Sequence, residues 1–184
     1  MSAQDAQSQL DPRLALLRAR VRDIPDFPKP GILFRDLTPL MGDGAAFKQT
    51  VEMLAERLAP HRPEIVVAVE SRGFIFGAPV ATALGIGFVP VRKPGKLPFR
   101  IARRSYALEY GTDTLEIHAD AVVEGARVAI VDDLLATGGT ALATLELVRE
   151  LGGEVAVLAF AIELGLLGGR DRLAGTQIES LIVY

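Results

Sequence analysis

Apolar residues follow two patterns along the chain, and the change comes near residue 64. Before it the spacing is helical. Leu14, Leu17 and Val21 fall on one face and predict a helix reaching to about Val21. Phe47, Val51, Leu54 and Leu58 form a second stripe and predict a helix over residues 45–58, with Asp43 placed to cap it. Between them, Asp26-Phe-Pro-Lys-Pro-Gly31 holds two prolines and a glycine, which forbid helix and demand an ordered turn. Beyond residue 64 the apolar positions become contiguous, over residues 65–69, 86–91, 128–131, 155–162 and 178–183. Short runs rich in Val and Ile read as strands covered on both faces, hence as a parallel sheet. Helical stretches at residues 73–84 and 140–151 lie between them, the second with Ala141, Leu145 and Val148 on one side. The alternation predicts an α/β open sheet with right-handed crossovers. Such sheets bind ligands beyond the carboxyl ends of their strands, which directs attention to the residues after 69, 91, 131 and 162.

Composition narrows the chemistry. At 184 residues and 49% hydrophobic content the chain has enough apolar material for one soluble domain. Cysteine is absent, which excludes disulfides, Cys-ligated zinc, iron–sulfur clusters and a thiol nucleophile. His61 and His118 are the only histidines, too few for a His-rich metal site, and both are expected to be structural. The first ten residues lack a basic segment followed by an apolar core, and no run approaches the ~18–20 apolar residues of a membrane span. A cytoplasmic location without membrane contact is the expectation. The formal charge of −3 hides an asymmetry. Arg92, Lys93, Lys96, Arg100, Arg103 and Arg104 lie within one stretch free of acids, leaving 14 basic against 23 acidic residues elsewhere. A basic segment on an acidic body suits a small anionic ligand better than a nucleic acid.

The most specific string runs from Val128 to Thr140. A strand ends in Asp132-Asp133, and Ala136-Thr137-Gly138-Gly139-Thr140 leads into a helix. The loop offers backbone N–H groups, two hydroxyls and a helix N-terminus, a combination suited to a phosphate monoester dianion. The acidic pair would repel phosphate and instead suits the vicinal hydroxyls of a ribose. A P-loop is excluded because no G-x-x-x-x-G-K-[ST] string occurs, and Gly85-Ile-Gly87-Phe-Val-Pro90 fails the dinucleotide fingerprint at its third position.

Residues 128–140 resemble the phosphoribosyl-pyrophosphate (PRPP) signature of type I phosphoribosyltransferases. Four further blocks, Asp26-Phe-Pro-Lys-Pro-Gly-Ile-Leu-Phe-Arg-Asp36, Glu70-Ser-Arg-Gly-Phe-Ile-Phe-Gly77, Arg92-Lys-Pro-Gly-Lys-Leu-Pro98 and Ser105-Tyr-Ala-Leu-Glu-Tyr-Gly111, are similar to the adenine phosphoribosyltransferase family and stand in its order. The resemblance implies a type I phosphoribosyltransferase-like α/β fold in one domain over residues 1–184. That fold has an open, mainly parallel five-stranded sheet flanked by helices, a small hood from about residues 1–40 and a mobile closing loop at about residues 93–116. It implies transfer of the phosphoribosyl group from PRPP to N9 of adenine, giving AMP and pyrophosphate in purine salvage. It also implies Mg²⁺ carried with PRPP rather than held directly by protein, and a homodimer.

The implied roles fall block by block. Ala136, Thr137, Gly138, Gly139 and Thr140 take the 5-phosphate, and Asp132 and Asp133 the ribose hydroxyls. Ser71, Arg72 and Gly73, in a loop where the family often has a cis peptide, take pyrophosphate with Arg92, Lys93 and Lys96; Arg92 is implied to serve the neighbouring subunit. Phe34 and Leu164 sandwich adenine, while the Leu33 carbonyl and Arg35 N–H pair with its edge. Glu109 accepts the imidazole proton and Tyr110 belongs to the closing loop. Arg100, Arg103 and Arg104 match no motif and read as solvated. Two rival readings remain at this stage. One is a transferase for another purine base, against which the Asp26–Asp36 and Ser105–Gly111 blocks speak. The other is a non-catalytic PRPP-sensing regulator, for whose DNA-binding module the residues before the first block leave no room.

Overall fold

The computed structural model of the protein describes residues 11–107 and 112–184. These residues form two compact units that divide between Met53 and Leu54. In the first, helix α1 (Pro12–Arg18) starts from Asp11, whose carboxylate accepts the Arg13 N–H at 2.9 Å, and it buries Leu14 and Leu17. The helix ends before Val21, contrary to the expected extent. The Arg20 and Val21 N–H groups bond to carbonyls three residues back, tightening the chain into a turn that delivers it extended to β1 (Arg22–Ile24). Strand β1 pairs antiparallel with β2 (Phe34–Asp36). The expected Pro/Gly turn lies between them, with a cis Phe27–Pro28 bond and the Gly31 N–H donated to Asp26 Oδ1 at 2.7 Å. A short α2 (Thr38–Gly42) precedes α3 (Gly44–Leu58). Asp43 caps α3 as expected, accepting the Ala45 and Ala46 N–H groups at 3.1 Å each. Val51, Leu54 and Leu58 are buried along the α3 stripe.

The second unit contains β3 (Ile65–Val69), α4 (Arg72–Leu84), β4 (Gly87–Val91), β5 (Ile101–Ala107), β6 (Thr112–His118), β7 (Arg127–Leu135), α5 (Gly139–Glu150), β8 (Glu154–Glu163), α6 (Gly169–Arg172) and β9 (Ile178–Val183). Five of these strands make one sheet in the order β4-β3-β7-β8-β9, and every pairing in it is parallel. Its strands are the five apolar runs of the sequence. Val67, Val69, Ile130, Leu158 and Phe160 are buried in one core with Leu145, Leu147 and Val148 of α5. Helix α4 packs close to β3 because residue 77 is glycine: a Cβ there would lie 2.6 Å from that of Ala68.

Strand order reverses at the boundary between β3 and β7. The chain leaves β3 for β4 on one side, and β7 pairs on the other. Loops at this boundary diverge and leave a crevice at the carboxyl ends of the two strands.

The stretch read as a closing loop carries structure of its own. Strands β5 and β6 form an antiparallel hairpin, tied to the end of β4 by two backbone bonds of 2.8 Å between Arg92 and Glu116. The three unmatched arginines are engaged here: Arg103 meets the buried Glu116 at 3.4 Å, Arg104 pairs with Glu146 of α5 at 2.8 Å, and the Arg100 guanidinium lies 5.4 Å from the Phe99 ring centroid. Among the described residues no helix is long and apolar enough to cross a membrane.

Candidate active site

A cleft of about 320 Å³ opens at the β3/β7 boundary. Its walls are the loop after β3 (Glu70, Ser71, Arg72), the end of β7 with the loop into α5 (Asp132 to Thr140), Lys93 after β4, and Tyr106 and Asp113 of the hairpin. The sheet therefore brings together, from separate parts of the sequence, Ser71, Arg72, Lys93, Asp132, Asp133 and all of Ala136–Thr140.

The loop after β7 is built to receive an anion. Gly138 stands at the N-cap of α5 with φ of +79°, a conformation that favours glycine, and no side chain caps the helix. Among the described residues no N-cap side chain takes the N–H groups of the first turn, and the helix dipole favours negative charge there. The loop is braced from behind by Gly169, a residue the sequence motifs did not single out. A Cβ at Gly138 would lie 2.8 Å from the Gly169 carbonyl oxygen, and one at Gly169 only 2.2 Å from the Ala136 carbonyl oxygen.

Beside it stand the two aspartates. Asp133 is buried, and its N–H donates to Asp132 Oδ1 at 2.9 Å. Arg72 Nε lies 2.9 Å from Asp133 Oδ2, yet among the described residues no N–H is aligned on that oxygen, which is a buried acceptor without a donor there. Burial pushes the Asp132 carboxyl well above its ordinary range, and the neighbouring Asp133 charge pushes it further. Burial raises Asp133 too, against the pull of Arg72. Gly73 lies beneath this pair, where a Cβ would come within 2.7 Å of Asp132 Oδ1. The Glu70–Ser71 peptide bond is cis, as the resemblance implies.

The basic residues divide. Lys93 lines the cleft, its ammonium paired with Asp113. Arg92 and Lys96 instead converge on Glu70, at 2.8 Å each, and Glu70 also accepts the Lys93 N–H at 2.8 Å. Burial opposes charge on Glu70, but these three donors outweigh it and hold its carboxyl below the ordinary range. The convergence of Arg92 and Lys96 on one buried carboxylate was not legible from the motifs, since Glu70 lies 22 residues before Arg92.

The residues assigned to the base are spread over both units. In the first, Phe34 packs edge-on against Phe27, with centroids 5.2 Å apart, Leu33 is exposed and Arg35 pairs with Asp23. In the second, Leu164 follows β8, its N–H bonded to the Leu135 carbonyl at 2.8 Å. Glu109 and Tyr110 lie outside the described residues.

A cradle for a phosphate, a carboxylate pair for a diol and a glycine-lined approach to both form the frame of a ribose-phosphate site. Residues 42–172 match the family model for the phosphoribosyl transferase domain. A relative from Desulfitobacterium hafniense (strain Y51), named adenine phosphoribosyltransferase, is 57% identical over 89% of this chain and 95% of its own length. The chain belongs to the adenine phosphoribosyltransferase family. The adenine phosphoribosyltransferase of Thermoanaerobacter pseudethanolicus has the same fold, with a TM-score of 0.90 and 55% identity over 93% of this chain and 99% of that one. That of Saccharomyces cerevisiae, solved with an imino-altritol bisphosphate and adenine, superposes with a TM-score of 0.86 at 38% identity over 92% of this chain and 98% of that one. The five-stranded parallel sheet expected for adenine phosphoribosyltransferases is thus the sheet observed.

Proposed function

We infer that the chain transfers the 5-phosphoribosyl group of PRPP to N9 of adenine, releasing pyrophosphate and forming AMP. The observation that carries this reading is the uncapped, glycine-built entry to α5 directly beside the buried Asp132–Asp133 pair. In this reading Ala136–Thr140 hold the 5-phosphate through N–H groups and hydroxyls. Asp132 and Asp133 accept hydrogen bonds from the ribose hydroxyls and favour positive charge developing on the sugar as its bond to pyrophosphate breaks. The Ser71–Gly73 backbone, Arg72 and Lys93 hold the leaving pyrophosphate, joined by Lys96 when it exchanges Glu70 for it and, across the subunit boundary, by Arg92. Phe34 and Leu164 pack on adenine, and the Leu33 carbonyl accepts from its amine. That acceptor opposes bases with a carbonyl at the same position, since a buried group left unpaired costs ~1–3 kcal/mol. Glu109 takes the imidazole proton, and the segment around residues 93–116, with Tyr110, closes over the substrates to exclude water.

Mg²⁺ belongs to this reading as a companion of PRPP. The unsatisfied Asp133 Oδ2 and its neighbour Asp132 offer hard oxygen donors to the ribose side of such a complex or to its waters. In this reading the cation arrives with the substrate, since Mg²⁺ keeps several waters and seldom uses an all-protein cage. Bound there, Mg²⁺ would neutralise pyrophosphate charge. We further propose a homodimer in which Arg92 serves the neighbouring site, on the strength of the family resemblance.

The test is turnover with PRPP, Mg²⁺ and each purine in turn. AMP from adenine, with no nucleotide from hypoxanthine, guanine or xanthine, supports the reading. Tight PRPP binding without turnover on any base overturns it.

A further inference from the structure

The hairpin reaches the phosphate loop through a residue that no motif assigns. The Tyr106 hydroxyl lies 3.0 Å from Thr140 Oγ1 and 3.2 Å from Asp113 Oδ2, and the Tyr106 ring faces Gly139, where an added Cβ would stand 3.4 Å from Cδ2. Asp113 is fixed in turn by the Lys93 ammonium and by the Thr114 N–H at 2.8 Å.

Proton counting sets the direction of these bonds. A carboxylate only accepts, and a phenol has one proton. With Asp113 ionised beside Lys93, the Tyr106 proton goes to Asp113. The Tyr106 oxygen then accepts from Thr140, so the Thr140 proton is turned toward the hairpin and away from the loop. A phosphate dianion also only accepts. To bond it, Thr140 must withdraw its proton from Tyr106. The phenol cannot make up the loss, because donating to Thr140 means abandoning Asp113. Entry of a phosphate therefore costs one hydrogen bond inside the protein.

We infer that Tyr106 is a positioning residue that competes with the 5-phosphate for the hydroxyl of Thr140, with Asp113 orienting the phenol for that competition. The device sets phosphate affinity below what the loop alone would give, and it ties occupancy of the loop to the hold of the hairpin upon it. The inference rests on the reading of Ala136–Thr140 as the phosphate cradle.

The test measures ribose 5-phosphate affinity by calorimetry in wild type, Tyr106→Phe, Thr140→Ala and the double variant, with folding checked by circular dichroism. Tyr106→Phe keeps the ring on Gly139 and removes only the competitor. It should tighten binding about three- to tenfold, the worth of one net hydrogen bond, and leave the KM for adenine unchanged. In the Thr140→Ala background the same substitution should change nothing. A residue that merely supports the hairpin would give weaker binding instead. If Thr140→Ala weakens binding but Tyr106→Phe leaves it unchanged or weaker, the inference is overturned while the cradle stands. If Thr140→Ala has no effect on ribose 5-phosphate affinity even in the Tyr106→Phe background, Thr140 makes no bond to the phosphate, and its place in the cradle falls together with the inference.

Discussion

Arg72 Nε stands 2.9 Å from Asp133 Oδ2, joining the loop after β3 to the end of β7 across the point where strand order reverses. The pair brings the cation assigned to pyrophosphate next to a carboxylate assigned to ribose. It also leaves the acidic pair only partly compensated, because among the described residues Asp132 has no such ion pair of its own and its charge is opposed first by burial.

Replacing the acidic pair, Asp132→Asn with Asp133→Asn, should lower kcat/KM for PRPP about 10- to 100-fold, the worth of hydrogen bonds to charged groups. Folding should be spared. Steady-state kinetics alongside far-ultraviolet circular dichroism separates the two effects, and turnover at the wild-type level would contradict the ribose assignment.

The raised carboxyl of Asp132 has a signed consequence for stability. A carboxyl that holds its proton more tightly when folded stabilises the fold below its unfolded pKa, and that contribution disappears as pH rises through the folded pKa. Asp132→Asn has no charge to bury. Its urea midpoint relative to wild type should therefore move upward as pH increases from 4 through neutrality, and a constant difference would contradict the burial argument.

Glu70 behaves in the opposite sense. Its folded pKa is lowered, so its contribution is present above the unfolded pKa and is lost as pH falls through the folded one. Glu70→Gln should cost about 1–2 kcal/mol at neutral pH, discounted because Arg92 and Lys96 are half exposed. The deficit should shrink in acid. Chemical denaturation at several pH values reads it directly.

Gly169→Ala places a methyl group where the Ala136 carbonyl oxygen lies 2.2 Å away, and backbone on both sides resists yielding. We expect a loss of about 1–3 kcal/mol of stability together with a raised KM for PRPP and a less affected KM for adenine. Equal effects on both substrates would show that the strain does not reach the cradle.

Arg104→Ala removes an exposed pair with Glu146 and should cost no more than about 1 kcal/mol. PRPP kinetics should stay within about twofold of wild type, since Arg104 is not among the residues that line the cleft. A large rise in KM would give this arginine a role in the site.

The five parallel strands were legible because each is covered on both faces and so is written as an unbroken apolar run. The phosphate loop was legible because an uncapped helix entry built on glycine leaves a contiguous string. The hairpin was not. Strand β5 is Ile-Ala-Arg-Arg-Ser-Tyr-Ala, with its polar residues engaged in pairs, and only Leu115 and Ile117 of β6 contribute fully buried apolar side chains. Contacts such as Tyr106 with Thr140, 34 residues apart, or Lys93 with Asp113, 20 apart, arise from the way β4, the hairpin and α5 are folded together. Spacing along the chain holds no trace of them. Helix α1 stops short of Val21 for a related reason: Val21 keeps the helical interval, but the turn into β1 overrides it.

The bracing of Gly138 by Gly169 bears on how the molecule comes into being. The segment that carries the phosphate signature leaves the ribosome well before α6, yet its backbone leans on a glycine some thirty residues downstream. A nascent chain that already contains the whole motif therefore lacks the backbone that braces its phosphate loop from behind. Anion affinity should arrive late, with the closing elements of the sheet, so a truncated chain bearing the intact signature would be a poor ligand trap during synthesis.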